Sequence, residues 1–172
     1  MWSKTKKALM ERMADNLKPR VRYNFEVYTT KWRRTEMSVF YICVDSNTWF
    51  ASNPKYFNKE CEYFNINVDR NLPYHEYWEA YYSAQKNADN YASEYGLMDI
   101  DSMMTYIHLY LNKYSVKKCL DSKNYILKML AVLDRRIGKR TVKQLVDNIS
   151  NEPEWFRKFI ILRAESEGII II

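Results

Sequence analysis

The chain has 172 residues, of which 47% are apolar and 28% charged, and its net charge is +6. This composition is typical of a folded globular protein, and 3 Gly with 4 Pro leave little material for disordered linkers. No apolar run is long enough to cross a bilayer and the basic start lacks a signal-peptide core, so we expect an ordered cytoplasmic protein without membrane contact.

The first part of the chain predicts one helix followed by three strands. Ser3 is a suitable N-cap for a helix that runs to about Leu17, and Pro19 then ends it. Runs of alternating or β-branched and aromatic residues follow, separated by turn residues, and these favour antiparallel strands. The strands are expected at Val21 to Tyr28, Met37 to Val44 and Thr48 to Ala51.

Helices are predicted for the rest of the chain. A short helix follows Pro54 and ends near Tyr63, and a longer one runs from Pro73 to about Tyr95, where Gly96 stops it. Residues that favour helix starts mark the later helices. These residues are Asp99 or Asp101, Ser115, Ser122, Lys139 and Pro153.

The predicted fold class is therefore α+β, with an N-terminal helix and three-stranded antiparallel sheet followed by an all-helical C-terminal part. We place an α-β-β-β-α unit at residues 1–65 and a helical unit at residues 70–172, with one continuous domain as the alternative. The helical unit contains a repeat, because Tyr125 to Gly138 matches Trp155 to Gly168 at an offset of 30 residues. An offset of this size is typical of stacked helical repeats, here spanning residues 122–168.

A motif in the repeat, Leu133-Asp134-Arg135-Arg136-Ile137-Gly138-Lys139-Arg140, resembles one found in a family of small bacterial proteins without an assigned activity. Members of that family open on a helix similar to Trp2-Ser3-Lys4 and carry a strand similar to Tyr41-Ile42-Cys43-Val44-Asp45. They end on a stretch similar to Leu162 to Gly168. The resemblance implies a bacterial protein and supplies neither a substrate nor a catalytic residue.

The same tail resembles a degenerate HEAT-type repeat, in which an aspartate and an arginine tie neighbouring helical layers together. The resemblance implies that Asp134 accepts from a backbone amide or a nearby arginine, and that Arg135 or Arg136 bridges to the next helix pair. Gly138 would supply the turn. Phosphate binding is the alternative, because these arginines and the cations of Lys139-Arg140 surround a helix end. We favour the structural role for Asp134, Arg135, Arg136 and Gly138.

Aromatic residues are concentrated on the long predicted helix. Tyrosine and tryptophan are frequent in protein interfaces because they are large, stiff and tipped with a polar group. The acidic residues between them, such as Glu76 and Glu79, suit a basic protein partner. The equal alternative is that this helix packs beneath the sheet and the repeat helices. We predict that an unknown protein partner is bound by Tyr74, Tyr77, Trp78, Tyr81 and Tyr82.

Nucleic-acid binding is a second hypothesis, because Met1 to Arg34 carries ten basic and three acidic residues. The order of helix, three strands and helix resembles the double-stranded-RNA-binding domain in topology, although the lysine-rich second helix of that family is missing here. Trp32 lies among cations and is able to stack on a base, with a solvated hairpin loop as the alternative. The residues of this hypothesis are Lys4, Lys7, Arg12, Lys31, Trp32, Arg33 and Arg34.

The sequence offers no catalytic scaffold. His75-Glu76-Tyr77-Trp78-Glu79 is similar to the zinc-protease helix motif, but Glu79 stands where the second histidine is required. Cys43, Cys61 and Cys119 are widely spaced, without a CxxC pair or a neighbouring histidine. We therefore expect a non-catalytic protein with no cofactor and no bound metal.

Overall fold

The structure, a computed structural model, describes residues 2–29 and 36–170. Its N-terminal part consists of helix α1 (Trp2–Arg12) and strands β1 (Val21–Thr29), β2 (Glu36–Val44) and β3 (Asn47–Ala51). The helices that follow are α2 (Tyr56–Asn67), α3 (Tyr74–Glu94), α4 (Ile100–Asn112), α5 (Val116–Leu120), α6 (Tyr125–Val132), α7 (Lys139–Asp147) and α8 (Glu154–Ser166), with a 3-10 turn at Ile149–Asn151. The predicted α+β class and the order of helix, three strands and helices are confirmed.

The three strands form an antiparallel sheet in the order β1-β2-β3, with Val21 opposite Val44. Asp45 and Ser46 join β2 to β3 and both have positive φ, 49° and 69°, as a two-residue hairpin turn requires. Alternate side chains are buried, so the sheet presents one apolar face to the helices. The buried residues of the first two strands are Val21, Tyr23, Phe40, Ile42 and Val44.

The main core lies between that face of the sheet and helices α1, α4, α6 and α8. Leu9, Phe40, Tyr110, Met129 and Phe159 are among its buried members. Two small clusters stand apart from this core, one between α2 and α3 and one where α7 meets α8. The first of them gives the α2–α3 hairpin a core of its own.

Helix α1 ends at Arg12, earlier than the predicted end near Leu17. The amide of Ala14 donates to the carbonyl of Leu133 at 2.9 Å, and Met13 pairs its backbone with Asp134. These bonds use backbone groups that a longer helix would need for itself. The early end of α1 therefore comes from a contact with the connection between α6 and α7, a tertiary effect that local sequence does not contain.

Helix α6 is capped by Asn124, not by the predicted Ser122. The Asn124 side chain accepts from the amides of Ile126 and Leu127, at 3.0 and 3.4 Å. The Ser122 hydroxyl accepts instead from the amide of Asn124, at 3.0 Å. Two consecutive polar turns thus lead into the helix, and the second forms the cap.

The two copies of the repeated segment lie against each other, as α6 and α8. The ring of Tyr125 is 5.4 Å from that of Phe156 between centroids and 6.5 Å from that of Trp155. The Trp155 indole also donates to the carbonyl of Glu94 at 3.0 Å, at the end of α3. The C-terminal helix therefore contacts both its sequence counterpart and the end of the long helix.

Candidate functional site

Helices α2 and α3 form a helical hairpin, here called the arm (residues 56–94). Its root joins the main core through Tyr56 and Ala92, and its outer part packs around Phe64, Val68 and Ala88. With 21 residues, α3 is about 32 Å long. The arm therefore carries its outer side chains away from the main core.

Two of the five predicted interface residues support the arm from within. Tyr81 stacks on Phe64 of α2, with ring centroids 4.0 Å apart, and Tyr77 lies next to Tyr81 in the same cluster. Both side chains are partly buried. Their contacts hold α3 against α2.

The other three, Tyr74, Trp78 and Tyr82, follow one another at one-turn spacing and are here called the aromatic ladder. Successive ring centroids lie 6.2 and 5.9 Å apart. Tyr74 is 73% exposed and Tyr82 is 67% exposed, while Trp78 is half-buried between them. Exposed aromatic rings at regular spacing form a stiff apolar strip with polar tips.

The charge around the ladder is acidic. The segment from Glu60 to Asp101 has nine acidic and two basic residues, a net charge of −7. Glu76 and Glu79 are exposed on α3, and helical geometry places Glu79 beside the ladder. One cation already lies on an aromatic face next to the arm, because Lys59 Nζ of α2 lies 4.1 Å from the centroid of the ring of Tyr95, the residue that follows α3.

A groove of about 1180 Å³ begins where the ladder ends, between α3 and the segment from α4 to α6. Tyr82 belongs both to the ladder and to the wall of this groove. Lysines line it on both sides, with Lys86 on α3 and Lys118 on α5, while Asp89 and Tyr106 lie deeper. The groove is thus a mixed polar surface continuous with the aromatic strip.

Asp89 is the centre of a hydrogen-bond network in this groove. Its carboxylate accepts from the phenols of Tyr56 and Tyr106, at 2.5 and 2.7 Å, and from the Ser102 hydroxyl at 3.4 Å. Burial raises the pKa of Asp89, and these hydrogen bonds oppose the rise. Burial is the largest cause of the raised pKa of Tyr56 and of Tyr106, and the Asp89 carboxylate is the next. Both phenols therefore keep their protons at neutral pH and donate them to Asp89.

Glu60 extends this network. Tyr56 has one hydroxyl proton, which goes to the nearer Asp89, yet Glu60 Oε1 lies 3.1 Å from the same phenol oxygen. Burial raises the pKa of Glu60. The Tyr56 phenol is thus shared between two carboxyl groups, with Asp89 the nearer.

Asn124, the cap of α6, also lines the groove. It is buried, and its amide nitrogen makes no hydrogen bond of ordinary geometry with the described residues. Burial is the main cause of the raised pKa of Tyr106. The side chain of Asn124 lies near enough to that phenol to lower its pKa in part. Asn124 therefore belongs to the edge of the Asp89 network.

The predicted nucleic-acid-binding residues are divided by the structure. Lys4 and Lys7 are exposed on α1. Arg12 is occupied, because its guanidinium donates to the carbonyls of Tyr110 and Leu111 at 2.6 and 2.5 Å, at the end of α4. The remaining four residues, Lys31, Trp32, Arg33 and Arg34, lie outside the described residues.

Asp134 occupies the centre of a second buried network. Its carboxylate accepts from the Tyr110 phenol at 2.6 Å, from the amide of Arg136 at 2.8 Å and from the Arg136 guanidinium at 2.6 Å. Burial alone would raise the pKa of Asp134, but the hydrogen bonds from Arg136 and Tyr110 outweigh it and lower the value. Arg135 and Gly138 are exposed on either side of this turn.

The bridge from this turn to the next helix is made by Arg163, which the sequence analysis did not single out. Arg163 is 2% exposed on α8, and its guanidinium donates to the carbonyls of Asp134 and Ile137 at 3.0 and 2.9 Å. It also pairs with Glu167 at 3.0 Å. In the sequence, the one sign that Arg163 is buried is its position between Leu162 and Ala164 on an apolar helix face.

Other chemistry is sparse in the part of the chain that the structure describes. Residues 2–29 and 36–170 contain no group of three or more His, Cys, Asp or Glu side chains arranged to hold a metal ion. Cys119 is buried, which raises the pKa of its thiol to about 11 and keeps it protonated. Over the same described residues, no helix combines the length and the apolar character needed to span a membrane.

Taken with its site geometry, the fold defines an α+β protein with a helical tail and a long α-helical arm. The chain belongs to the SF0329 protein family, whose model matches residues 1–164. Searches among curated proteins and among solved structures give no match.

Proposed function

We propose that this protein acts in the bacterial cytosol as a non-catalytic adaptor or neutralising partner, and that it binds a basic protein through the aromatic ladder of the arm. The observation that carries the proposal is the exposure of Tyr74 and Tyr82 on either side of Trp78, on a helix fixed from behind by Tyr81. A rigid row of rings loses little conformational entropy on binding, so burial of its area favours association.

The charge of the arm supports a basic partner. Glu79 is exposed beside the ladder, and the faces of the rings attract cations. Arginine side chains satisfy both features, since a guanidinium stacks on an aromatic ring and pairs with a carboxylate.

The repeat supports a related proposal about the tail. We infer that α6, α7 and α8 form a degenerate HEAT-like unit whose role is to hold the arm. The 30-residue offset, the packing of α6 on α8 and the bridge from Arg163 to Asp134 support this inference. In such repeats each helix pair packs on its neighbours and the stack forms one continuous core.

A pull-down from bacterial lysate tests the proposed function. The protein and its Tyr95→Ala control are expected to retain the same basic partner, which moderate salt releases because the contact is partly electrostatic. The Tyr74→Ala/Tyr82→Ala double variant removes two exposed rings and is expected to reduce retention by about tenfold or more. Tyr95 is a suitable control because it is an exposed tyrosine at the other end of the same helix, outside the ladder.

Recovery of nucleic acid alone, or of nothing, would contradict the proposal. Equal retention by the double variant would also contradict it, because the ladder would then be dispensable. Circular dichroism of both variants checks that the fold is intact, which is expected because the exposed rings contribute little to the core.

A further inference from the structure

A second surface, formed around α7, is strongly basic. We propose that it binds the phosphate backbone of double-stranded nucleic acid without sequence preference. The surface consists of Arg135, Lys139, Arg140 and Lys143, here called the basic patch, and all four side chains are exposed. This proposal goes beyond the proposed function, because it concerns a different surface and a different class of partner.

The helix geometry directs the cations of α7 to one side. Lys139 and Arg140 lie four and three residues before Lys143, so the three share a face. Val142 is buried, and Leu145 and Val146 pack against the neighbouring clusters, so the apolar side chains of α7 face the protein. Asp147, four residues after Lys143, is exposed on the same side as the cations. The exposed side of α7 therefore carries three cations and one carboxylate.

These four charges are not neutralised within the described structure. Over residues 2–29 and 36–170, the ion pairs within 4.0 Å involve other side chains. Asp134, the acid nearest to the patch in sequence on the N-terminal side, is buried and paired with Arg136 at 2.6 Å. Asp15 is paired with Lys18 at 2.5 Å, and the pKa of Asp15 is lowered mainly by Lys18 and to a smaller extent by the charge of Arg135. Asp147, on the C-terminal side, is exposed one turn from Lys143 and forms none of these ion pairs, so the patch and Asp147 together have a net charge of +3.

The loop before α7 is fixed in place from behind. Arg163 donates to the main-chain carbonyls of Asp134 and Ile137. These two carbonyl oxygens of the loop therefore point into the protein. Asp134 also holds the amide and guanidinium of Arg136. The cations beside this loop therefore stand on a rigid base, which lowers the ordering cost of binding.

The composition of the patch favours a duplex over the other polyanions. A helix that binds a membrane surface must insert apolar side chains, but the apolar side of α7 is covered by the protein. Single strands are bound by stacking on exposed aromatic rings, and residues 135–151 contain none. Charge without stacking or insertion is typical of contacts to a duplex backbone.

Fluorescence anisotropy with a labelled 20-base-pair DNA duplex tests the proposal. Four phosphate contacts predict that the logarithm of the binding constant falls with the logarithm of the salt concentration with a slope of about −3.6. The Lys139→Gln/Arg140→Gln/Lys143→Gln variant is expected to weaken binding by about tenfold or more at low salt and to reduce the slope to about −1. A scrambled duplex of equal length is expected to bind equally.

The matched control is Lys4→Gln/Lys7→Gln, which removes two exposed cations of α1 and is expected to leave the affinity and the slope nearly unchanged. Equal loss of affinity in this control would overturn the proposal in favour of an N-terminal site. Failure of the intact protein to bind the duplex, or tighter binding to phosphatidylglycerol vesicles than to the duplex, would also overturn it. The Tyr74→Ala/Tyr82→Ala variant is expected to bind the duplex normally, so this test is independent of the arm.

Discussion

The guanidinium of Arg163 lies 3.0 Å from the main-chain carbonyl oxygen of Asp134, across 29 residues of sequence and inside the core. Arg163 also donates to the carbonyl of Ile137 and pairs with Glu167. Burial lowers the pKa of Arg163, although the nearby carboxylates keep it charged. One cation thus holds the turn between α6 and α7 against α8.

Replacement of Arg163 by methionine is expected to lower the free energy of unfolding by about 3 kcal/mol. Methionine fills a similar apolar volume, but the carbonyls of Asp134 and Ile137 and the Glu167 carboxylate lose their buried donor. Urea denaturation measures the change. Arg140→Met, on the exposed side of α7, is the control and is expected to change stability by less than about 0.5 kcal/mol. Equal stability of the two variants would show that the buried bonds carry no net stabilisation.

Three glycines provide a graded test of local packing. Gly96 and Gly168 have positive φ of 69° and 68°, where alanine costs about 1 kcal/mol. A Cβ at Gly96 would also lie 3.0 Å from the Trp155 ring, whereas none of the structure lies within 4 Å of one at Gly168. We expect losses of about 2 to 3 kcal/mol for Gly96→Ala and about 1 kcal/mol for Gly168→Ala.

Gly138→Ala completes the series, because a Cβ there meets nothing within 4 Å and φ is −95°. Glycine is preferred over alanine at an N-cap, so this change is expected to lower the free energy of unfolding by only about 0.5 kcal/mol. Thermal denaturation orders the three variants. A loss at Gly168 as large as that at Gly96 would contradict the close contact with Trp155.

Glu60 and Glu62 are expected to affect the pH dependence of stability in opposite directions. Burial raises the pKa of Glu60 in the folded protein, while hydrogen bonds from Lys59 and Tyr91 lower the pKa of Glu62. The contribution of Glu60 is therefore full below its unfolded value of 4.5 and is lost as pH rises through the folded value. The contribution of Glu62 is full above 4.5 and is lost as pH falls through its folded value.

Urea denaturation between about pH 3 and pH 7 separates the two effects. Relative to the unmodified protein, Glu60→Gln is expected to gain stability as pH rises, because it removes a carboxyl group that resists ionisation. Glu62→Gln is expected to lose stability over the same rise, because it removes the partner of Lys59. Changes of the same sign in both variants would contradict these environments.

The arm is expected to open more readily than the main core. Phe64 anchors the small cluster between α2 and α3, whereas α6 lies in the main core. Phe64→Ala is expected to speed amide hydrogen exchange in the arm by about 30- to 160-fold, from a loss of about 2 to 3 kcal/mol, and to leave α6 nearly unchanged. Phe57→Ala, at a half-exposed position of α2, is the control, with little change in the arm. An equal increase in α6 would mean that the arm and the core open together.

The sequence predicted the elements well because their signals are local. Alternation from Val21 to Tyr28 and the turn at Asp45 and Ser46 depend on neighbouring residues, and the sheet follows them. Gly96 likewise ended α3 as expected. Such features need no knowledge of distant contacts.

The candidate site was predicted only in part, because its arrangement depends on tertiary contacts. Periodicity placed five aromatic residues on one helix, but the position of Phe64 on α2 decides that Tyr81 is covered and Tyr82 is not. Arg12 and Arg163 were harder still, since their partners are mainly backbone carbonyls far away in sequence. Every residue has a carbonyl, so such partners leave no trace in the order of side chains.

Trp155 determines where the arm points. Its indole holds the carbonyl of Glu94 while its ring fits over Gly96 and meets Phe50 of the sheet at 5.7 Å between centroids. The orientation of α3 therefore depends on the position of α8, which lies 61 residues later in the chain at this contact. A substitution that shifts the last helix would swing the far end of the arm through a larger arc than its root, because the angular change is multiplied along about 32 Å of helix.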